Sequence, residues 1–245
     1  METPTVNNAN WALLAFAKVV LFDLWKTIAR GPYPEPIANF RHILGLDGKV
    51  DDEQFLRVCL TTPDEDPQAY MLAVARHFAI THLPENALEE FKALIRREDD
   101  GLLLFKEVFE TLSELKRRGY RLGLVTNSWP FPVRSLLRWT KLDEVFEHVI
   151  SSSEVGLAKQ DGAEIYHLAA QMFGVLPEDC VMIGDSPSLD ILPVLAAHCK
   201  AVLIDRYEEN VDGRGIFKSA ALAALGVPFI RSLDQLLPYM PGSAQ

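Results

Sequence analysis

The stretch Ala17-Lys18-Val19-Val20-Leu21-Phe22-Asp23-Leu24-Trp25-Lys26-Thr27 decides the fold, because an apolar, β-branched run stops there at a carboxylate. Residues 19–22 carry no polar side chain, which is typical of a strand buried on both faces in a parallel sheet. Ligands of open α/β sheets bind beyond the carboxyl ends of the strands, and Asp23 stands at that position. Asp23 is therefore a candidate functional residue. On this residue alone, a capping role at a turn or helix is an open alternative.

The rest of the chain divides into a helical part and an alternating part. From Phe105 onward, strand and helix patterns alternate, which predicts βαβ units and a parallel sheet. Between the first strand and Phe105 the pattern is helical, and the proline-rich segment 31–36 marks where it begins. The expected fold is a doubly wound, Rossmann-like α/β core of residues 1–30 and 105–245, with an all-helical cap domain of residues 31–104 inserted.

Composition and charge exclude several classes of partner. The chain has 245 residues, 49% of them hydrophobic, and a net charge of -10, so it offers no basic surface for nucleic acid, whereas a small anionic substrate needs only local positive charge. Cys59, Cys180 and Cys199 lack metal-ligand spacing and are expected to be reduced residues of a cytoplasmic protein. Residues 11–25 are apolar but too short to span a bilayer, so we expect no membrane association.

Polar residues follow three of the predicted strands. Asp23 follows the first strand, residues 126–128 (Thr-Asn-Ser) the second and residues 184–186 (Gly-Asp-Ser) the fourth, while Lys159 lies in a loop before a helix. In a parallel sheet these groups meet at one edge. Two carboxylates can share Mg²⁺ through oxygen ligands, and a hydroxyl, an amide and a lysine can hold a phosphoryl group. A central carboxylate can attack phosphorus to form an aspartyl phosphate.

Four short motifs in this order resemble those of the haloacid dehalogenase superfamily. Residues 22–27 resemble its first motif, DxDxT, and residues 125–127 (Val-Thr-Asn) the second. Lys159, in a Ser-Glu-Val-Gly context, resembles the third, and residues 184–190 resemble the fourth, GDxxxxD. The helical segment 31–104 then resembles the family's C1-type cap, which closes over the substrate.

The resemblance implies a nucleophile and a metal site. Asp23 would be the nucleophile and a Mg²⁺ ligand, Asp185 a second ligand and the backbone carbonyl of Trp25 a third. Thr126 and Lys159 would bind the phosphoryl group and complete the catalytic set with Asp23. The substrate implied is a small phosphorylated or anionic molecule.

Four further residues have more than one interpretation. Asp190 is implied as a direct metal ligand or as the group that orients metal-bound water or Lys159, and the alternative is an acid at a helix N-terminus. Trp25, Thr27 and Asn127 are candidate substrate contacts. Thr27 is equally a residue that stabilises the turn.

Other residues near the motifs and in the cap are less specific. Trp129 and Phe131 follow the second motif, and packing is their expected role, with lining of the site entrance as the alternative. Arg41, Arg57 and Tyr70 of the cap are candidates to reach the substrate.

Trp25 departs from the family pattern, because phosphatases of the family carry there a second aspartate that protonates the leaving oxygen and then activates water. An indole can do neither. We expect a Mg²⁺-dependent hydrolase of a small phosphorylated metabolite, weakened or altered at this step. The alternatives are a metal-independent 2-haloacid dehalogenase, since halide needs no proton, and a protein that binds a ligand or partner without turnover. Asp185 and Asp190 favour the first interpretation, because carboxylates without a cation would repel one another. A monomer or homodimer is expected.

Overall fold

A computed structural model describes residues 11–31, 36–211 and 218–242. The strands are β1 Val19–Phe22, β2 Ala29–Arg30, β3 Leu103–Leu104, β4 Arg121–Thr126, β5 His148–Ser151, β6 Cys180–Gly184, β7 Lys200–Ile204 and β8 Phe229–Ile230. The helices are α1 Pro36–Ile43, α2 Asp52–Thr61, α3 Pro67–His77, α4 Ala87–Gly101, α5 Val108–Arg117, α6 Pro130–Thr140, α7 Ser152–Val155, α8 Glu164–Phe173, α9 Leu192–Ala196 and α10 Ala220–Leu225.

Six strands form one parallel sheet in the order β5-β4-β1-β6-β7-β8. Strand β1 is central, and the chain first adds strands on one side of it and then on the other. The carboxyl end of β1 is therefore the topological switch point, where ligands bind in doubly wound sheets. The predicted α/β fold is confirmed.

Alternate residues of β1 face two separate hydrophobic clusters. Val20 and Phe22 pack with Leu112 of α5, whereas Val19 and Leu21 pack with α8 on the other face. Each such side chain contributes about 1.5–3 kcal/mol when it is fully buried. Burial of both faces explains why this strand reads as a continuous apolar run.

The strand register brings the polar residues to one edge of the sheet. Phe22 lies opposite Leu124 of β4 and Ile183 of β6. The backbone N–H of Asp23 donates to the carbonyl of Ile183 at 2.9 Å, which extends the pairing by one residue. Asp23 and the residues that follow β4 and β6 therefore leave the sheet side by side.

Helices α1–α4, residues 36–101, form the helical insert, which has a hydrophobic cluster of its own. Asp51 caps α2 by accepting from Gln54 N at 2.9 Å, and Asp66 caps α3 in the same way. Positions 32–35 of the proline-rich segment lie outside the described residues.

A two-stranded antiparallel ribbon joins the insert to the core. Ala29 of β2 pairs with Leu104 of β3, and Arg30 pairs with Leu103. The sequence analysis did not predict these strands, because two residues are too few to show a period. The ribbon brings the two connections of the insert together.

Two other expectations concern the whole chain. The three cysteines are buried and free, as expected. Across the described ranges, no helix has both the length and the apolar character needed to cross a membrane.

Candidate active site

Lys159 lies between two carboxylates at the carboxyl edge of the sheet. Its Nζ is 2.5 Å from Asp23 Oδ1 and 2.6 Å from Asp190 Oδ1. All three side chains are buried, with residue exposures of 1% for Lys159, 5% for Asp23 and 1% for Asp190. These two contacts fix the positions of both carboxylates in a site of low dielectric, where charge interactions are strong.

The electrostatics of this group depend on burial and on repulsion between the acids. Burial, with added repulsion from Asp190 and Asp185, raises the pKa of Asp23 to about 8, although Lys159 opposes the shift. Burial lowers the pKa of Lys159, but the Asp190 and Asp23 carboxylates outweigh it, so the net shift is upward. The lysine is therefore a cation that partly offsets the repulsion among the neighbouring carboxylates.

Asp185 completes a cluster of oxygen donors that fits a hard divalent cation. One carboxylate oxygen from each of Asp23, Asp185 and Asp190 lies within 4.8 Å of the others. Burial and repulsion from Asp190 raise the pKa of Asp185 to about 6. Three carboxylates facing one ammonium carry an excess of negative charge, and oxygen ligands of this type are those that Mg²⁺ prefers. The residues present therefore fit the cation that the resemblance implies.

Asp190 is held by the turn that follows β6. This turn is one turn of π-helix, Pro187–Ile191, and Asp190 Oδ2 accepts from the backbone N–H of Ser186 at 3.0 Å. A Cβ at Gly184 would overlap with the Asp190 side chain, so only glycine fits there. Asp190 thus lies near the start of a helix and also contacts Lys159. This position fits two of its predicted roles, an acid at a helix N-terminus and a group that orients Lys159.

Thr126 is the last residue of β4, and Asn127 follows it beside Lys159. Thr126 is fully buried, and its Oγ1 has no hydrogen-bond partner among the described residues. The Asn127 amide accepts from Lys159 N at 2.9 Å and donates to Gln160 Oε1 at 2.6 Å. Asn127 therefore positions the Lys159 loop.

Trp25 and Thr27 lie in the turn between β1 and β2. The Trp25 ring packs against the hydrophobic cluster and against Gly31, where an added Cβ would lie 3.2 Å from ring atom Cζ3. Thr27 is buried, its Oγ1 has no partner within residues 11–31, 36–211 and 218–242, and its carbonyl accepts from Arg206 Nη2 at 2.8 Å. The Trp25 indole thus packs at the junction between the insert and the core.

The candidates in the insert have different surroundings. Tyr70 is buried, and its hydroxyl donates to the carbonyl of Cys59 at 2.7 Å. Arg41 pairs with Asp52 of its own insert. Arg57 pairs with Asp161, two residues after Lys159, so it is the one of these three that reaches the Lys159 loop.

Sequence analysis missed a polar group beside Asp185. Lys26 Nζ pairs with Glu209 Oε1 at 2.9 Å, and Asn210 Nδ2 donates to the carbonyl of Asp185 at 3.4 Å. Asp205 accepts from the backbone N–H groups of residues 209–211, which fixes this loop. These partners are up to 183 positions apart in the chain, so no local pattern indicates them.

Sequence analysis also missed Glu98 of α4. Its carboxyl is buried, and Oε2 accepts from Trp129 Nε1 at 2.8 Å. Burial raises the pKa of Glu98 to about 8. The only sequence signal for this contact is the position of Trp129 after the second motif.

Fold and site together define a doubly wound α/β protein with a buried lysine and a cluster of carboxylates at the switch point of its sheet. The family described as "haloacid dehalogenase-like hydrolase" matches residues 17–198. The chain belongs to this family. The resemblance inferred from the four motifs is thereby confirmed.

Individual relatives are phosphatases and a dehalogenase. A phosphoserine phosphatase from Thermus thermophilus is 37% identical over 123 residues, which is 50% of this chain and 49% of the relative. The match thus spans about half the length of that relative. A HAD phosphatase from Thermococcus onnurineus is 25% identical with a TM-score of 0.59, covering 92% of this chain and 99% of the other. A 2-haloacid dehalogenase from Pseudomonas syringae, 22% identical with a TM-score of 0.60 over 91% and 98%, shares the fold.

Proposed function

We propose that this protein is a Mg²⁺-dependent phosphatase that acts on a small phosphorylated metabolite through an aspartyl phosphate on Asp23. The observation that carries the proposal is the placement of Lys159 between Asp23 and Asp190, with an Asp185 oxygen within 4.8 Å of theirs. The resemblance implies that dehalogenases of the family generally lack the Gly-Asp pair of the fourth motif, which this chain keeps as Gly184-Asp185. Two carboxylates such as Asp185 and Asp190 beside a nucleophile are costly unless a cation is bound.

The residues of the chain divide the work as follows. A carboxylate oxygen of Asp23 attacks phosphorus, and the bond from phosphorus to the leaving oxygen breaks. Lys159 offsets the charge on Asp23 and on the phosphoryl oxygens. The buried Thr126 hydroxyl, which has no partner in the described part of the chain, donates to a phosphoryl oxygen. Water then cleaves the acyl phosphate and releases inorganic phosphate.

Asp23, Asp185 and Asp190 would hold Mg²⁺, with the backbone carbonyl of Trp25 as a further ligand. When bound, the cation supplies positive charge that polarises the phosphoryl group. It also favours the ionised forms of Asp23 and Asp185, whose pKa values are raised to about 8 and about 6 by burial and mutual repulsion. The helical insert would then act as the cap over this site.

Trp25 limits which substrates are turned over rapidly. The indole packs at the junction with the insert and has no group that exchanges protons at neutral pH. Loss of a general acid/base typically costs a factor of about 10²–10⁴ in rate. Substrates whose leaving oxygen needs little protonation, such as acyl and aryl phosphates, should therefore be preferred.

The test is an assay of the purified protein with p-nitrophenyl phosphate and acetyl phosphate, in Mg²⁺ and in EDTA. We expect turnover in Mg²⁺, loss of turnover in EDTA, and loss in Asp23→Asn, which keeps the shape of the side chain. Trp25→Asp should increase the rate with alkyl phosphates, since it restores a carboxyl group. If the wild type turned over neither substrate, the proposal would be wrong.

The dehalogenase alternative rests on Trp25 alone. It predicts release of halide from a 2-haloacid in EDTA, with no phosphatase activity. The same purified protein tests it by measurement of free chloride from 2-chloropropionate. Chloride release in EDTA would contradict the phosphatase proposal and support the dehalogenase alternative.

A further inference from the structure

Trp129 belongs to the core by sequence, but its side chain lies in the hydrophobic cluster of the helical insert. It is 2% exposed. Its ring centroid is 5.8 Å from that of Phe91, 6.0 Å from Phe40, 6.2 Å from Tyr70 and 5.5 Å from Phe131. The core thus contributes Trp129 to the cluster of the insert, and Phe131 packs against the same cluster.

A buried hydrogen bond fixes the direction of this side chain. Trp129 Nε1 donates to Glu98 Oε2 at 2.8 Å, and Glu98 is 5% exposed near the end of α4. A buried donor without a partner is costly, so the indole N–H favours the one position of α4 that places Glu98 against it. Aromatic packing alone is less directional.

The backbone of Trp129 is tied to the active site. Only residues 127 and 128 separate β4 from Trp129, and Asn127 accepts from Lys159 N at 2.9 Å. Ser128 N donates to Ser152 Oγ at 3.1 Å, and the Ser128 carbonyl accepts from Ser151 Oγ at 3.3 Å. A displacement of Trp129 would therefore also displace the neighbouring residues Thr126 and Asn127.

Other polar contacts between insert and core involve more exposed side chains. Arg134 of α6 pairs with Glu65, and both side chains are about half exposed, at 53% and 49%. Arg57 of the insert, which pairs with Asp161, is 52% exposed. Exposed ion pairs contribute little to stability. Ser135 Oγ donates to Asp99 Oδ2 at 3.2 Å, next to the Trp129 contact. The Trp129–Glu98 pair is the buried, directional contact in this set.

We propose that Trp129 and Glu98 are positioning residues, which set the placement of the insert over Asp23 and Lys159 and thereby the binding of the substrate portion beyond the phosphoryl group. The proposal rests on the proposed phosphatase function for its kinetic part. It predicts that the hydrogen bond, rather than the mere bulk of the indole, determines this placement.

The experiment compares Trp129→Phe, Glu98→Ala and Glu98→Gln with the wild type. Phenylalanine keeps an aromatic ring but removes the N–H, alanine removes the acceptor, and glutamine keeps a carbonyl oxygen that accepts. Trp139→Phe on α6, the helix that begins directly after Trp129, is the matched control, because Trp139 is 71% exposed. Far-UV circular dichroism confirms that each variant is folded.

Two measurements are made on each variant in Mg²⁺. The first is kcat and KM with p-nitrophenyl phosphate, whose aryl group lies beyond the phosphoryl group. We expect Trp129→Phe and Glu98→Ala to lower kcat/KM about tenfold, mainly through KM, as expected for one lost buried hydrogen bond. Glu98→Gln should stay within about twofold, and the double variant Trp129→Phe/Glu98→Ala should be no worse than either single variant.

The second measurement is amide hydrogen exchange of residues 94–101 and 127–135, which needs no turnover. Both regions should exchange faster in Trp129→Phe and Glu98→Ala than in Glu98→Gln. The proposal would be overturned if Trp129→Phe and Glu98→Ala exchanged amides as Trp139→Phe does. It would also be overturned if Glu98→Gln and Glu98→Ala lost kcat/KM equally. If the wild type shows no turnover, the phosphatase proposal fails, and the exchange data still decide the placement of the insert.

Discussion

The backbone of Gly184 lies directly against the side chain of Asp190, and no Cβ fits between them. This contact allows Asp190 to lie under Lys159 while Ser186 N donates to its Oδ2. The glycine before Asp185 is thus a packing requirement of the site. A side chain there would move Asp190, the turn 187–191, or both.

Gly184→Ala should therefore destabilise the protein by about 1–3 kcal/mol, which is typical of overpacking in a core. It should also lower phosphatase activity, since Asp190 is displaced from Lys159. Urea unfolding followed by circular dichroism measures the first effect, and p-nitrophenyl phosphate hydrolysis the second. Gly242→Ala is the control, because an added Cβ there meets only Arg118 O at an ordinary 3.6 Å. Equal stability of the two variants would contradict this interpretation.

Lys159→Met tests the central ion pairs. Removal of the ammonium leaves Asp23 and Asp190 buried without their counter-charge, and breaking a buried pair from one side costs about 3–5 kcal/mol. We expect a loss of stability of that order in urea unfolding with EDTA present, and a loss of turnover of at least about 10²-fold in Mg²⁺.

The matched control for Lys159 is Lys18→Met. Lys18 also pairs with an aspartate, Asp179, at 3.1 Å, but its side chain is 51% exposed and lies at the opposite end of β1. Exposed pairs contribute at most about 1 kcal/mol. A similar loss of stability in the two variants would show that burial of Lys159 does not strengthen its role.

Much of this site was predictable from sequence because parallel sheets align strand ends. An apolar run followed by Asp23, and another followed by Thr126, imply neighbouring polar groups as soon as the strands pair in register. The same logic places Asp185 beside Asp23. The strands at 121–126 and 148–151 lie in the part of the chain where alternating strands and helices were predicted. Local pattern and sheet geometry were sufficient for these elements.

Contacts between distant segments were not predictable. Glu98 and Trp129 are 31 positions apart and lie on elements with no common period, so nothing local pairs them. The same holds for Lys26 and Glu209. The Trp129 side chain was expected to pack, and it does, but in the cluster of the insert rather than beneath the sheet. Such contacts depend on how two separately formed units meet.

Binding of Mg²⁺ should stabilise the folded protein. A ligand that binds only the native state at about 100 times its Kd adds about 2.7 kcal/mol. We expect Mg²⁺ to raise the Tm of the wild type by several degrees relative to EDTA. Asp185→Asn should remove most of this shift, because it removes a charged oxygen ligand.

Asp179→Asn is the control for the metal prediction. Asp179 lies just before β6, at the end of that strand opposite Asp185. Its replacement should leave the shift in Tm on addition of Mg²⁺ as in the wild type. Equal shifts in Asp185→Asn and the wild type would remove Asp185 from the metal site.

Glu98 should give the protein a pH-dependent stability. Burial raises its pKa from 4.5 to about 8 in the folded state, so the folded state keeps a proton that the unfolded chain loses. Stability is then greatest below pH 4.5, falls as pH rises from 4.5 to about 8, and is level above that. The steepest change for one such group is about 1.4 kcal/mol per pH unit.

The measurement is the free energy of unfolding in urea at pH 5, 6.5 and 8, as the difference between the wild type and Glu98→Gln. Glutamine carries no proton to lose, so other titrating groups cancel in the difference. The charged and titratable groups facing Glu98 are Asp99 on its own helix and Tyr70 from α3, while Trp129 donates from the core. The wild type should lose stability relative to Glu98→Gln as pH rises. If the free energy of unfolding of Asp99→Asn falls with rising pH as it does in the wild type, the effect belongs to Glu98. If the difference between the wild type and Glu98→Gln does not change with pH, Glu98 is ionised in the folded protein at pH 5.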